Sequence, residues 1–225
     1  MTPPSSSSAE RREPLNRQRV LLAALKMADE EGLEVLSMRR LGQALGVEAM
    51  SLYKHVSNKD DLLDGITDLV VGEIEIPAKA ATWKEAMRAR AISAHQVLLR
   101  HRWATVMMGS RLRLGPSMLR YVDLTLGWLL EAGFSEDLAV DAWHTMDSFI
   151  YGYTLQELNL PFDQAQSDEV ATGFLQNLPA EQFPHFHRVV RNIIGQGYRD
   201  NFDFGLELLL EGLEARRKNH PLSPY

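Results

Sequence analysis

The chain has 225 residues, 45% of them hydrophobic and 24% charged, which is enough for one large or two modest globular domains with a real core. It contains no cysteine, which excludes disulfides and thiolate metal sites, and no apolar run near the ~20 residues of a membrane span. The formal charge of −6 argues against a nucleic-acid coating protein, though it says little about a local basic face, because screening limits each charge to about 10 Å.

Residues 1–14 are rich in Pro and Ser and read as a disordered arm, with Arg11 and Arg12 available to a phosphate backbone. The opening MTPPSSSSAERREP lacks the apolar core of a secretory signal, so a soluble, cytoplasmic protein is expected. Val20, Leu21, Ala24, Leu25 and Ala28 recur at helical spacing and predict a helix over about 16–31, stopped by Gly32. Ser37 is placed to cap a second helix whose Leu41, Ala44 and Leu45 face inward. Gly46 permits a tight turn into a third helix, about 49–55, which keeps Leu52 and Val56 for the core. Ser51, Tyr53, Lys54 and His55 are left pointing outward.

Ser57-Asn58-Lys59-Asp60 caps a fourth helix with Leu62, Leu63, Ile66, Leu69 and Val70 as its apolar stripe, and Pro77 ends this first domain (15–76). The second domain, 77–217, reads as helix throughout: about 82–100, 103–110, 116–132, 135–158, 168–177, 184–195 and 203–217. Residues 159–167 read as a mobile loop and 218–225 as a flexible tail. Nothing alternates with period two long enough to predict a strand, so the fold class is all-α.

Two short helices joined at Gly46 form a helix-turn-helix, the arrangement that seats a recognition helix in the DNA major groove. Between Ser37 and Lys59 the bases Arg39, Arg40, Lys54 and Lys59 face a single acid, Glu48. Ser37, Tyr53, His55 and Lys59 carry groups that hydrogen-bond phosphate oxygens. Arg39 can reach a guanine edge, and Ala49 and Met50 can touch a thymine methyl. Arg40 reads as a solvated surface residue.

The stretch LSMRRLGQALGVEAMSLYKHVSNKDDLLD, Leu36–Asp64, resembles the DNA-binding domain of the tetracycline-repressor family. Gly133-Phe134-Ser135, the helix through Phe149 and Gly152, and Phe204–Leu208 with Gly212-Leu213-Glu214 are similar to that family's regulatory domain. The resemblance implies a homodimeric, ligand-responsive transcription factor, usually a repressor, on a palindromic operator. It places DNA contacts on Arg39, Ala49, Met50, Ser51, Tyr53, Lys54, His55 and Lys59. It places dimer contacts on the helix from about 135 and on the last helix, where Leu206, Leu209, Leu210 and Leu213 are expected to meet their symmetry mates.

The broad apolar stripe of Trp143, Met146, Phe149, Ile150, Tyr151 and Tyr153 predicts either plain core or a pocket for a flat, apolar or aromatic effector. Arg90, Trp103, Met107, Met108, Trp128 and Phe174 are expected to join it. The family's tetracycline and magnesium contacts fall by spacing on Glu75, Arg90, Ala94, Met108 and Gln156, none of which is the matching residue. Neither that drug nor a metal or other cofactor is therefore expected, and Arg90, His95 or Glu157 is left to pair with a polar group on the effector. A helix crossing from head to pocket, Asp60 to about Ile76, is the expected transmitter.

Three other readings are weaker. An enzyme finds no HExxH, GxSxG or phosphate-binding Gly-rich loop. Its histidines do not cluster: His185 and His187 lie on different helix faces, and Asp141-x-x-His144 is a single copy of a spacing that di-iron bundles need twice. A DNA-binding adaptor answering to a protein partner requires a filled second-domain core. An activator differs from a repressor only in where its operator lies.

Overall fold

The computed structural model of the chain describes residues 14–110, 115–159, 167–193 and 201–219. All regular structure among these residues is helical, and they divide into two compact units, the head up to Leu69 and the regulatory unit from Val70. This division by packing falls inside a helix, at Leu69–Val70. The arm up to Glu13, the loop 160–166 and the tail from 220 lie outside the described residues, as do Arg11 and Arg12.

The head comprises α1 (Arg17–Glu31), α2 (Met38–Leu45), α3 (Ala49–Leu52) and the first part of α4 (Lys59–Gly72). Each start has a chemical reason. Asn16 Oδ1 accepts from Arg19 N at 2.8 Å, Ser37 Oγ from Arg40 N at 3.3 Å, and Asn58 Oδ1 from Asp61 N at 2.8 Å. Such caps each contribute ~1 kcal/mol. Gly46 ends α2 at φ 69°, a left-handed conformation that costs a Cβ-bearing residue ~1–2 kcal/mol. Leu36, Leu41, Leu52, Leu62 and Ile66 are fully buried with Val20 and Ala24, and they form the head's core.

Two expectations need correction here. Ala44 is exposed and Leu45 half-buried; the inward neighbour of Leu41 is Gly42. α3 closes at Leu52, not His55, because the chain tightens: His55 N bonds to Leu52 O at 2.9 Å in a three-residue turn.

The regulatory unit contains α5 (Trp83–Arg100), α6 (Ala104–Ser110), α7 (Pro116–Glu131), α8 (Glu136–Leu158), α9 (Ser167–Asn177), α10 (Pro184–Ile193) and α11 (Phe202–Asn219). The last helix runs two residues past its predicted end. α8 is the central helix, packed against α5, α6, α7 and α11, while α9 and α10 pack on each other. Small residues set the closeness of this packing: Ala86, Ala91 and Ala94 on α5 and Ala139 and Ala142 on α8 are all buried. Met87, Leu98, Leu129, Phe134, Met146 and Ile150 fill the spaces between, each stabilising by roughly 1.5–3 kcal/mol through burial.

The end of α11 is stapled back onto the unit. Glu214 accepts from Arg217 Nε at 2.9 Å and from Trp83 Nε1 at 3.2 Å, and Arg217 Nη1 donates to Ala132 O at 2.8 Å. The bonds that Glu214 accepts, that from Arg217 foremost, hold its carboxyl down at about 2.

Candidate DNA-binding face and effector site

In the head, the short α3 and the turn after it carry a continuous outward face. Met50 is 75% and Tyr53 45% exposed, Lys54 is exposed, and Ala49, Ser51 and His55 are half-buried beside them. Arg39, Lys54 and Lys59 are exposed cations with no ion-pair partner among the described residues, whereas Arg40 is taken up by Glu31. An exposed apolar Met among unpaired cations has no use in the fold, and suits a base-reading surface flanked by phosphate contacts. The Ser37 hydroxyl oxygen is occupied as a cap, leaving only its proton for a phosphate.

Sequence reasoning missed two residues that hold this face. Arg17 donates to His55 O at 2.9 Å and to both Asp61 oxygens, at 3.1 and 2.6 Å, and so ties the turn after α3 to the starts of α1 and α4. Gly42 lies against the α2–α3 turn so closely that a Cβ there would stand 2.9 Å from Val47 O and 3.2 Å from Ala49 N.

The Arg17 hydrogen bond is the largest influence on Asp61, whose carboxyl is held down from 3.8 to about 2. A depressed carboxyl contributes stability that is full above 3.8 and lost as pH falls through about 2. Because the pair is partly solvated, its worth is on the order of 1 kcal/mol. Asp61→Asn is therefore expected to lower the melting temperature at pH 6 and to converge on the wild type near pH 2. Parallel melting curves at both pH values would remove the ion pair's role.

In the regulatory unit, α5, α7 and α8 converge on a buried polar cluster. Arg90, fully buried, meets Asp147 Oδ1 at 2.8 Å and also donates to the Tyr121 hydroxyl. Asp147 further accepts from Tyr121 at 2.9 Å, Trp143 Nε1 at 2.8 Å and Tyr151 at 3.2 Å. Burial pushes both tyrosine hydroxyls well above their ordinary range, so they stay protonated and act as donors. Burial also works against the Arg90 charge, but the facing Tyr121 and Asp147 outweigh it and the guanidinium is raised above its ordinary value.

A second cluster centres on His95, which stacks on Phe202 at 4.2 Å, bonds Thr154 Oγ1 at 2.8 Å and lies 3.2 Å from Glu157. Phe149 and Tyr153 close its aromatic side, with centroids 5.3 Å from Phe202.

The twelve residues expected to line a pocket are therefore distributed over different environments. Arg90 and Trp143 belong to the Asp147 cluster, Phe149 and Tyr153 to the His95 cluster. Met146 and Ile150 are fully buried core, and Met107 and Met108 nearly so. Trp103 is half-buried, and Trp128 donates to Pro77 O at 3.0 Å. The side chain of Phe174 lies outside the described residues. A cavity of about 620 Å³ is lined by none of the twelve: its wall runs over Val71, Gly72 and Ile74–Pro77, Ala89 and Ser93 on α5, and Ser117, Arg120, Tyr121 and Leu124 on α7. Glu75 is in that wall. No cluster of metal-ligating side chains occurs among the described residues.

Of the predicted dimer residues, Leu206 and Leu210 are fully buried inside the unit, while the half-buried Leu209 and the largely buried Leu213 line a surface groove. The large apolar groups that α8 and α11 present to solvent among the described residues are Val140, Leu155, Phe204 and Leu208; a groove of about 490 Å³ is lined in part by Leu138, Leu208, Leu209, Gly212 and Leu213.

A helix-turn-helix head with an unencumbered basic face, followed by an all-helical unit with buried polar clusters, defines a DNA-binding regulator with a separate sensing domain. Residues 20–66 match the family described as bacterial regulatory proteins, tetR family, and residues 76–217 match the tetracyclin repressor-like C-terminal domain. The chain belongs to the tetracycline-repressor family, whose members are DNA-binding regulators and not enzymes.

It is 32% identical to the HTH-type transcriptional repressor DrrR1 of Streptomyces coeruleorubidus, over 89% of this chain and 78% of that protein. It is likewise 32% identical to the class D tetracycline repressor of Escherichia coli, over 90% of each chain. Among solved structures it is similar to apo ActR from Streptomyces coelicolor, with a TM-score of 0.79 and 31% identity over 92% of this chain and 98% of that one. ActR has also been solved with actinorhodin, a structure that matches this chain with a TM-score of 0.77 and 32% identity over 91% of this chain and 99% of that one. No helix among the described residues is long and apolar enough to cross a membrane.

Proposed function

We propose that the protein is a homodimeric, cytoplasmic repressor that holds a palindromic operator and releases it when a small, largely aromatic effector occupies the regulatory unit. The observation that carries this reading is the exposed face of Met50, Tyr53 and Lys54 with Arg39 and Lys59 unpaired beside it. The relatives support it: DrrR1 and the class D protein are named repressors, and ActR is a protein of this size and fold solved with a small molecule. Val140, Phe204 and Leu208 give the dimer its apolar surface.

The switch acts through the effector's unequal affinity for two dimer geometries. Emptying a nearly full operator takes a difference on the order of 5 kcal/mol. α4 is one continuous helix through the Leu69–Val70 division, so it passes directly from the head into the segment that walls the cavity. Hydrogen exchange should therefore differ along α4 between the effector-bound and operator-bound forms.

The roles in the head are tested by two substitutions. Tyr53→Ala is expected to weaken every operator by a similar factor, since phosphate contacts carry no sequence. Arg39→Ala is expected to cost ~1–3 kcal/mol at one base pair and relax the preference there. Binding to the operator and to single-base variants measures both. Equal losses on specific and scrambled DNA for Arg39→Ala would sink its base-reading role.

A further inference from the structure

Glu48 is the single acid between Ser37 and Lys59, and it stands exposed immediately before α3. No described residue pairs with it, and the Arg40 guanidinium is already taken up by Glu31. The backbone of Glu48 serves the fold, since its carbonyl accepts from Ser51 N at 2.9 Å, but its side chain makes no capping bond. Asn16, Ser37 and Asn58, at the other helix starts of the head, all cap through their side chains. Glutamate is a poor residue for that purpose, so α3 forgoes a stabilisation that the other three helices have.

The carboxylate also opposes general affinity for DNA. It lies on the same face as the unpaired Arg39, Lys54 and Lys59, and it repels the phosphates that these cations attract. A side chain that helps neither the helix nor overall binding has one remaining use on this surface, the rejection of wrong sequences.

Position and chemistry say which sequences. Residues at the start of a recognition helix reach base edges in the major groove, and Glu48 directly precedes Ala49 and Met50 there. A carboxylate can only accept hydrogen bonds. In the major groove guanine and thymine show it acceptors, and adenine sets its amino group beside the N7 acceptor. Cytosine alone presents a donor, its N4 amino group, with no acceptor at its side. Arg39, Ala49 and Met50 suit guanine and thymine, so none of them duplicates this contact.

We propose that Glu48 is a specificity-determining residue of the DNA-binding face, and that its carboxylate accepts from the N4 amino group of a cytosine in each half-site. This rests on the operator-binding reading above and names a base that the head reads.

Selection from a random duplex library at ~150 mM salt, with the full-length wild type, Glu48→Ala and Glu48→Asp, tests it. Aspartate keeps the charge and caps helices well, but it is one methylene too short for the base. The wild type is expected to prefer a C·G pair at one position of each half-site by about tenfold or more, the scale of one good base contact. Both variants are expected to accept any base pair there, and Glu48→Asp to melt no lower than the wild type, which excludes a damaged head as the cause. Glu48→Ala should also bind mixed-sequence DNA more tightly, because a repulsive charge is gone. Replacing the cytosine by 2-pyrimidinone, which lacks only the 4-amino group, should cost the wild type that same factor and Glu48→Ala almost nothing.

A relaxed position that held no C·G pair, or an analogue as costly to Glu48→Ala as to the wild type, overturns the assignment. A palindrome selected identically by all three proteins overturns it alone and leaves the operator reading standing. A wild type that selects no sequence overturns both.

Discussion

Asp147→Ala is expected to destabilise the regulatory unit by about 3–5 kcal/mol, because it leaves the Arg90 cation buried with no counter-charge. For a chain of this size that corresponds to a fall in melting temperature on the order of 10 °C. The loss is specific to this cluster. Trp143, Tyr121 and Tyr151 also lose their shared acceptor, and each buried donor without a partner adds to the cost. Replacing both charges together, Arg90→Met with Asp147→Leu, removes the stranded cation but still orphans the Trp143, Tyr121 and Tyr151 donors, so it should melt between Asp147→Ala and the wild type. Calorimetry of the three proteins checks this. If Asp147→Ala melts beside the wild type, Arg90 is not held as a buried cation.

Gly42→Val is expected to lower operator affinity about 100-fold while leaving the regulatory unit folded. The Cβ would press on Val47 O at 2.9 Å and Ala49 N at 3.2 Å, and these are backbone atoms that no side-chain rotation can clear. Overpacking of this kind costs ~1–3 kcal/mol, and the relief available is for α3 to swing away from α2. Met50 and Tyr53 move with it. Two contacts worth ~1–3 kcal/mol each are then lost or lengthened, and each 1.4 kcal/mol is a factor of ten. Gly127→Ala is the control: nothing lies within 4 Å of its added Cβ, so it should bind the operator normally and be slightly more stable. Gel-shift titration of both variants, with far-ultraviolet dichroism to follow helix content, distinguishes a displaced α3 from an unfolded head. Normal operator affinity in Gly42→Val would show that α2 and α3 tolerate a wider separation than the structure allows.

The elements most fully legible in the sequence are those defined by neighbours in the chain. Ser37 and Asn58 cap helices through residues three positions on, and Gly46 takes the one backbone conformation that favours it. The outward face of Met50, Tyr53 and Lys54 follows from helical periodicity around Leu52. Features that depend on distant residues were not legible. Arg17 reaches Asp61 across 44 positions and Arg90 reaches Asp147 across 57, and neither pairing leaves a local pattern. The apolar repeat of Leu206, Leu210 and Leu213 correctly marks a buried stripe. However, periodicity does not say whether the cover is the same chain or a second one, and here it is the same chain. The cavity shows the same limit: the aromatic stripe of α8 was visible, but the 620 Å³ cavity is walled by the end of α4, the segment after it, and residues of α5 and α7, none of them on that stripe.

If the head reads a two-fold symmetric DNA site as part of a dimer, the purified protein should select such sites from its own genome. Sequencing the genomic fragments it retains at ~150 mM salt, where non-specific binding is weak, is the decisive test. One palindrome is expected to be enriched, with half-sites about one helical turn apart, as two recognition helices in successive major grooves require. Retention of fragments sharing no palindrome, or a single unpaired half-site, would contradict a dimeric operator-binding protein.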